Sequence, residues 1–194
     1  MALLLDLIGS ALIGGILVLQ LLNMSLFIQN AGFSSDNELK MQQNAKTLAE
    51  IINYDFRKIG YQFDSTAILT AEQKKIKFIG DLERPGETGA GIIDTIEYSV
   101  LDSTFAIATS NLRDIVLVRI LNNADSIAGP SLGLVDIKFS YLDSLYSTTA
   151  DLSKIKYIKT ELWVEPTEKV DNFITGEKDS VFTYWEFTIH PRNI

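Results

Sequence analysis

Leu7 to Ile28 reads LIGSALIGGILVLQLLNMSLFI, 22 residues without a charge. At about 1.5 Å per residue, a helix of this length reaches the roughly 30 Å of a bilayer's hydrocarbon. The charge-free run is longer still, because Asp6 precedes it and no Asp, Glu, Lys or Arg follows before Asp36. Three readings compete. A cleaved secretory signal wants a basic n-region, a shorter apolar run and small residues before a cut site, and none of these stands here. A helix apolar on every side is hard to bury inside a domain this small. What remains is a membrane-spanning or filament-core helix. Its orientation is not encoded: the N-terminal flank holds no Lys or Arg, and the other flank mixes Lys40 with Asp36 and Glu38.

Outward from this run, Asn30-Ala31-Gly32-Phe33-Ser34-Ser35 is a stretch of weak helix formers, read either as a loop or as a local melt in one long helix. From Asn37 to Ile59 the pattern turns amphipathic. Met41, Ala45, Leu48, Ile52, Phe56 and Ile59 recur at three- and four-residue spacing, while Lys40, Gln43, Lys46, Glu50 and Arg57 fall opposite them. Gly60 is placed to end the helix. Three segments follow: an apolar helix over 1–35, an amphipathic helix over 36–62 that packs on a head, and a β-rich head over 63–194.

The head's candidate strands are Lys75–Ile79, Ile92–Leu101, Phe105–Thr109, Ile115–Leu121, Leu134–Leu142, Tyr157–Val164 and Val181–Ile189, separated by Gly, Pro, Asn, Asp and Ser clusters. In the sixth, Ile158, Thr160, Leu162 and Val164 share a side; in the seventh, Val181, Thr183, Trp185, Phe187 and Ile189 do. This alternation predicts an antiparallel sheet with one wet face, its inner face covered by the amphipathic helix. Pro166 to Lys178 is expected to be the connection between the last two strands. The fold class is α+β, and no internal repeat is present.

Composition narrows the function. With 194 residues, 46% of them apolar, the chain holds one ordinary domain plus the apolar helix. Of its net charge of −8 only Asp6 lies before residue 36, so the head is acidic and lacks the basic patch that nucleic acid needs. There is no cysteine, hence no disulfide, thiolate catalysis or cysteine metal site. His190 is the only histidine. Phosphate-binding loop, dinucleotide fingerprint and HExxH motif are all missing. Abundant Asp and Glu leave a glycosidase-like carboxylate pair open, but no catalytic residue or cofactor is expected.

The order of these features resembles type IV pilins and pseudopilins, the larger minor pilins in particular. The resemblance is carried by the apolar N-terminal helix with its lone acid and by DFRKIGYQ (Asp55 to Gln62) at the end of the amphipathic part. IKFIGDLE (Ile76 to Glu83), DTIEYSV (Asp94 to Val100), GLVDIKFSYLD (Gly133 to Asp143) and IKYIKTELWV (Ile155 to Val164) extend it over most of the chain. It implies one long helix packed on an antiparallel sheet, a monomer stored in the inner membrane, and an extracellular filament with the helices bundled at its centre. The implied partners are copies of the chain or related subunits, the membrane before assembly, and a pilus or secretion assembly machinery. One departure concerns processing. The family's precursors carry a short basic leader ending in glycine, whereas this sequence opens at Met1-Ala2-Leu3-Leu4-Leu5-Asp6. Either the numbering follows a processed form with an added Met, or the chain belongs to a leaderless branch; without Met1 the acid stands fifth from the amine, where the family keeps its acidic residue.

Asp6 is the most informative single residue. A carboxylate at the edge of an apolar helix costs several kcal/mol to bury unless a cation neutralises it. With no Lys or Arg nearby, the expected partner is the N-terminal amine of a neighbouring subunit (Met1, or Ala2 after processing), a pairing that would set the axial register. The alternative is an ordinary interfacial acid favoured by the helix dipole. Gly9, Ser10, Ala11, Gly14 and Gly15 let helices approach closely, and Gln20 and Asn23 offer hydrogen bonds between helices. In the loop from Asp81 to Asp94, the acids Asp81, Glu83, Glu87 and Asp94 with three glycines make a calcium site conceivable, but the spacing is not that of an EF-hand, and a solvated acidic turn is the expectation. Trp163, Tyr184 and Trp185 are expected to be sheet and core residues before a ligand platform. Two rivals stand beside the filament subunit: a single-pass anchored binding domain that never polymerises, and a membrane-anchored enzyme.

Overall fold

A computed structural model describes residues 2–83, 86–106, 109, 111–166, 170–171, 178–179 and 181–194. Its first element is a single helix, α1, over Ala2–Phe56. At 55 residues it is about 80 Å long. Asn30 to Ser35 interrupt nothing. Weak propensity there costs about 1 kcal/mol at Gly32 and less elsewhere, too little to break a helix whose flanks already propagate cooperatively.

The second half of α1 behaves as its spacing predicts. Met41, Ala45, Leu48, Ile52 and Phe56, with Ile59 just beyond the helix, are all buried, and Lys40, Gln43, Lys46, Glu50 and Arg57 are exposed. The helix stops four residues before Gly60. Turns carry the chain on, with Lys58 N–H donating to the Asp55 carbonyl and Tyr61 N–H to that of Lys58. Gly60 itself has φ +73°, and a Cβ there would strike the carbonyl oxygen of Asn193, so the C-terminus seals this corner.

Ten strands follow: β1 Ile68–Glu72, β2 Lys75–Gly80, β3 Asp94–Leu101, β4 Val116–Leu121, β5 Asp125–Ala128, β6 Leu134–Leu142, β7 Tyr157–Val164, β8 Val170–Asp171, β9 Lys178–Asp179 and β10 Thr183–Ile189. The single sheet expected from the sequence is two: an antiparallel meander β1-β2-β3-β4-β5 and a three-stranded sheet β10-β7-β6. They meet where Phe139 N–H of β6 donates to the Gln73 carbonyl (2.7 Å) and the Tyr141 hydroxyl to that of Glu72 (2.9 Å). The expected strand at Phe105–Thr109 is not formed at its start. Ser103–Phe105 is a 3-10 turn, capped by the Asp102 carboxylate accepting from Thr104 N–H, and residues 107 and 108 lie outside the described residues. Strands β1 and β5 were not expected. The connection over 166–178 contains the short β8–β9 pair; residues 167–169 and 172–177 within it are also outside the description.

Phe56 is where helix and both sheets converge. Its ring lies edge-on to Phe78 of β2 (5.6 Å between centroids) and Tyr98 of β3 (5.8 Å), and 5.8 Å from Phe139 of β6. Beside it stands Asp55, only 3% exposed. Its Oδ2 accepts from the Tyr98 hydroxyl at 2.6 Å and from Arg119 Nε of β4 at 2.5 Å. Burial lowers and Asp55 raises the affinity of Arg119 for its proton, and the net shift is upward; the Tyr98 hydroxyl is pushed up by burial and then by Asp55. This buried triad pins the end of α1 to two strands.

Two stability effects follow. Asp55→Ala leaves the half-buried Arg119 guanidinium and the buried Tyr98 hydroxyl without their acceptor and is expected to cost about 2–3 kcal/mol in denaturant unfolding of the full chain in detergent; a loss below about 1 kcal/mol would remove the triad from the account. Thr160, fully buried in β7 with an unpartnered Oγ1, works the other way. Thr160→Val is expected to stabilise by about 1 kcal/mol, and a loss of stability would mean that the hydroxyl is satisfied.

Candidate functional site

Among the described residues nothing packs against the first half of α1. It is long and apolar enough to cross a membrane, and its most apolar window is 0% buried. Sixteen large apolar residues between Leu4 and Phe33 are at least half exposed. Full burial of such side chains is worth about 1.5–3 kcal/mol each, so leaving them in water costs far more than the roughly 5–15 kcal/mol by which a domain is stable.

The sequence-predicted residues sit around this rod rather than along one line. At about 100° per residue, Asp6, Gly9, Ser10 and Gln20 fall within about 60° of one another's common face, Gly14 lies about 80° to one side, Asn23 about 100° to the other and Gly15 opposite. Asp6 is exposed. A Cβ built on Gly9, Gly14 or Gly15 would meet nothing within 4 Å, so each is a notch open to a neighbour. Ser10 Oγ donates to the Leu7 carbonyl at 3.0 Å. Met1 lies outside the described residues, and of Ala2 only its place in the helix is described.

The acids at the two ends of the acidic loop are more buried than a solvated turn predicts. Asp81 and Asp94 are 1% and 6% exposed. Their carboxylates and that of Glu83 present oxygens within 4.8 Å of one another; Glu87 is exposed and is not among the three. The oxygens close the loop: Asp81 accepts from the N–H groups of Glu83 (3.1 Å) and Gly91 (2.7 Å), and Asp94 from Asn122 Nδ2 (2.8 Å). Burial, and next the Asp94 carboxylate, push the Glu83 carboxyl above the usual glutamate range. Carboxylates crowded in this way make the charged form of Glu83 less favourable, and their oxygens are also a set that a hard cation accepts.

The aromatics are not core. Trp163 is half-buried and Tyr184 exposed on the outer face of the three-stranded sheet, their rings 5.1 Å apart, and Trp185 lies 38% exposed at the outer end of β10. Sequence reasoning also missed the role of Asp55. The available signal was its position seven residues after Leu48 and three after Ile52, an acid inside the apolar stripe.

An apolar rod continuous with an amphipathic half that packs on antiparallel sheets is the architecture of type IV pilins, and the chain has this pilin-like fold. Among solved structures it is similar to the type IV-like pilin TTHA1219 from Thermus thermophilus, with a TM-score of 0.51 at 8% identity, over 78% of this chain and 96% of that one. No protein-family model matches the chain, and no curated protein matches it in sequence.

Because the folded chain binds the Glu83 proton more tightly than the unfolded chain does, this group favours folding at low pH, and that contribution is lost as pH rises from about 4.3, the ordinary glutamate value, through the raised one. Glu83→Gln removes the loss. The melting temperature of the wild type is expected to fall relative to that of the variant as the pH rises above about 4.3; parallel profiles would contradict the assignment.

Proposed function

We propose that the chain is a non-catalytic structural subunit, held in a membrane by the first half of α1 and then assembled, with copies of itself or related pilin-like chains, into an extracellular filament. The observation that carries this reading is the bare apolar rod rigidly continuous with a folded head. Outside lipid such a rod demands cover, and parallel rods from other copies supply it. The distribution of small and polar groups supports many neighbours over one: Gly9, Gly14 and Gly15 open notches in different directions, as a rod surrounded on all sides requires, whereas a two-helix contact needs a single small face. Within the bundle Asp6 pairs with the N-terminal amine of an adjacent copy, and Gln20 and Asn23 bond between helices. The assembly machinery is that of a pilus or secretion system.

Negative-stain microscopy of sheared surface material tests this. Wild-type cells are expected to yield fibres, and Asp6→Ala to lose them or alter their symmetry while circular dichroism of the detergent-solubilised chain is unchanged. Solitary detergent-bound monomers from wild type would favour an anchored binding domain instead, and normal fibres from Asp6→Ala would remove the register role.

A further inference from the structure

The head covers one face of the second half of α1 and leaves the charged face bare. Where that face meets β10 lies a groove of about 490 Å³ lined by Asn53, Arg57, Thr188, Ile189, His190 and Arg192. Two guanidinium groups line it and no carboxylate does, in a chain of net charge −8. Arg57 is steadied by its Nε donating to Asn53 Oδ1 at 2.8 Å, and the His190 ring rests 4.9 Å from that of Tyr157. Among the described residues neither Arg57 nor Arg192 holds an acid, whereas Arg113 and Arg119 each hold a buried one, Glu165 and Asp55. The groove is a preformed cationic seat without its counter-charge.

The same chain carries the complement elsewhere. Asp36 and Glu38 stand exposed on the neck of α1, below the first buried helix residue, Met41, and neither is in an ion pair among the described residues; Glu38 only accepts from Gln42 at 3.4 Å. Farther up the bare face, Lys46 and Glu50 satisfy each other at 3.7 Å. A polymer built by head-to-tail repetition joins unlike patches of the same chain, and the groove and the neck are two such patches of opposite charge. On a continuous helix Asp36 and Glu38 point about 160° apart, and Asp36 shares its side with Lys40, four residues on. Resting on the filament reading above, we propose that the Arg57/Arg192 groove of one copy receives the Glu38 carboxylate of a second copy whose parallel helix is displaced along the axis. The separation of about 20 residues along α1 sets that displacement at about 30 Å. Contacts of this kind select the neighbour and the stagger, which an apolar rod, able to slide on its partners, does not fix alone.

The absence of cysteine from the chain makes a direct test available. Filaments carrying Arg57→Cys together with Glu38→Cys, treated with a short bis-maleimide, are expected to give a ladder of linked copies; well-formed filaments that give only monomer overturn the proposal. In parallel, the double reversal Arg57→Glu with Arg192→Glu is expected to lower filament yield about tenfold or more, since like charges facing each other cost several kcal/mol. Adding Glu38→Arg to it is expected to restore the yield. Normal yield from the double reversal, or no recovery in the triple variant although its circular dichroism is native, overturns the proposal. So does a groove that binds a soluble polyanion such as heparin while its reversal leaves filaments intact. Wild-type cells without fibres would overturn the filament reading itself, whereas fibres without the ladder overturn only this contact.

Discussion

One helix has to serve two environments. Over its first half every direction around α1 is apolar and none of that surface is covered by the head, while over its second half one stripe is sealed against two sheets. Because the helix does not break between the halves, the apolar surface cannot fold back to hide in the head's own core. The chain thus exports its largest unfavourable surface to something outside itself. In the proposed life of the chain, lipid would meet that demand for a monomer and other rods for a polymer, and the same residues could serve both because neither solvent asks for a specific polar partner.

The junction must then bear load. A rod of about 80 Å is a long lever, and any force on it arrives at the last turns of α1. Phe56 meets aromatic rings from β2, β3 and β6, and Asp55 is bonded to β3 and β4. Four strands from both sheets are thus tied to two consecutive residues. Aromatic burial supplies most of the favourable energy there, since a buried ion pair roughly balances its own desolvation. What the pair adds is direction: a carboxylate with two fixed donors admits one rotation of the helix about its axis, where an apolar stripe tolerates several.

How much of this was legible follows from the range over which each signal acts. The buried stripe from Met41 to Ile59 could be read because helical periodicity is local, and β6 and β7 because alternation survives over eight or nine residues. Strand β1, with only Ile68 buried in a five-residue run of mixed polarity, and β5, four residues adjoining an Asn-Asn turn, are too short to alternate. The acidic loop was found because its members are close in sequence, yet its burial was not, because Asp94 is fixed by Asn122 from a different strand connection. Asp55 lay in plain view, but its donors are 43 and 64 residues away, and nothing local distinguishes such an acid from a tolerated one. The groove between Arg57 and Arg192 joins the end of the helix to the end of the chain and has no sequence signature at all.

Charge and hydrophobicity divide the work along the axis. In the proposed filament, burial of the rods would be strong, non-directional and nearly indifferent to a slide of one turn, so it would supply cohesion with poor register. Charges at the rod's start and on the neck are each worth far less, but their preference changes sharply with displacement, so a weak term decides where a strong one is flat. The uneven charge distribution has this consequence: from Leu7 to Ser35 there are no charges to oppose sliding; Asp6, Asp36 and Glu38 lie at the two boundaries of that run, and the Arg57 groove stands about 20 residues farther along the helix. Moving a charge into the run would cost burial energy at every copy, and removing those at its boundaries would leave cohesion intact and order lost.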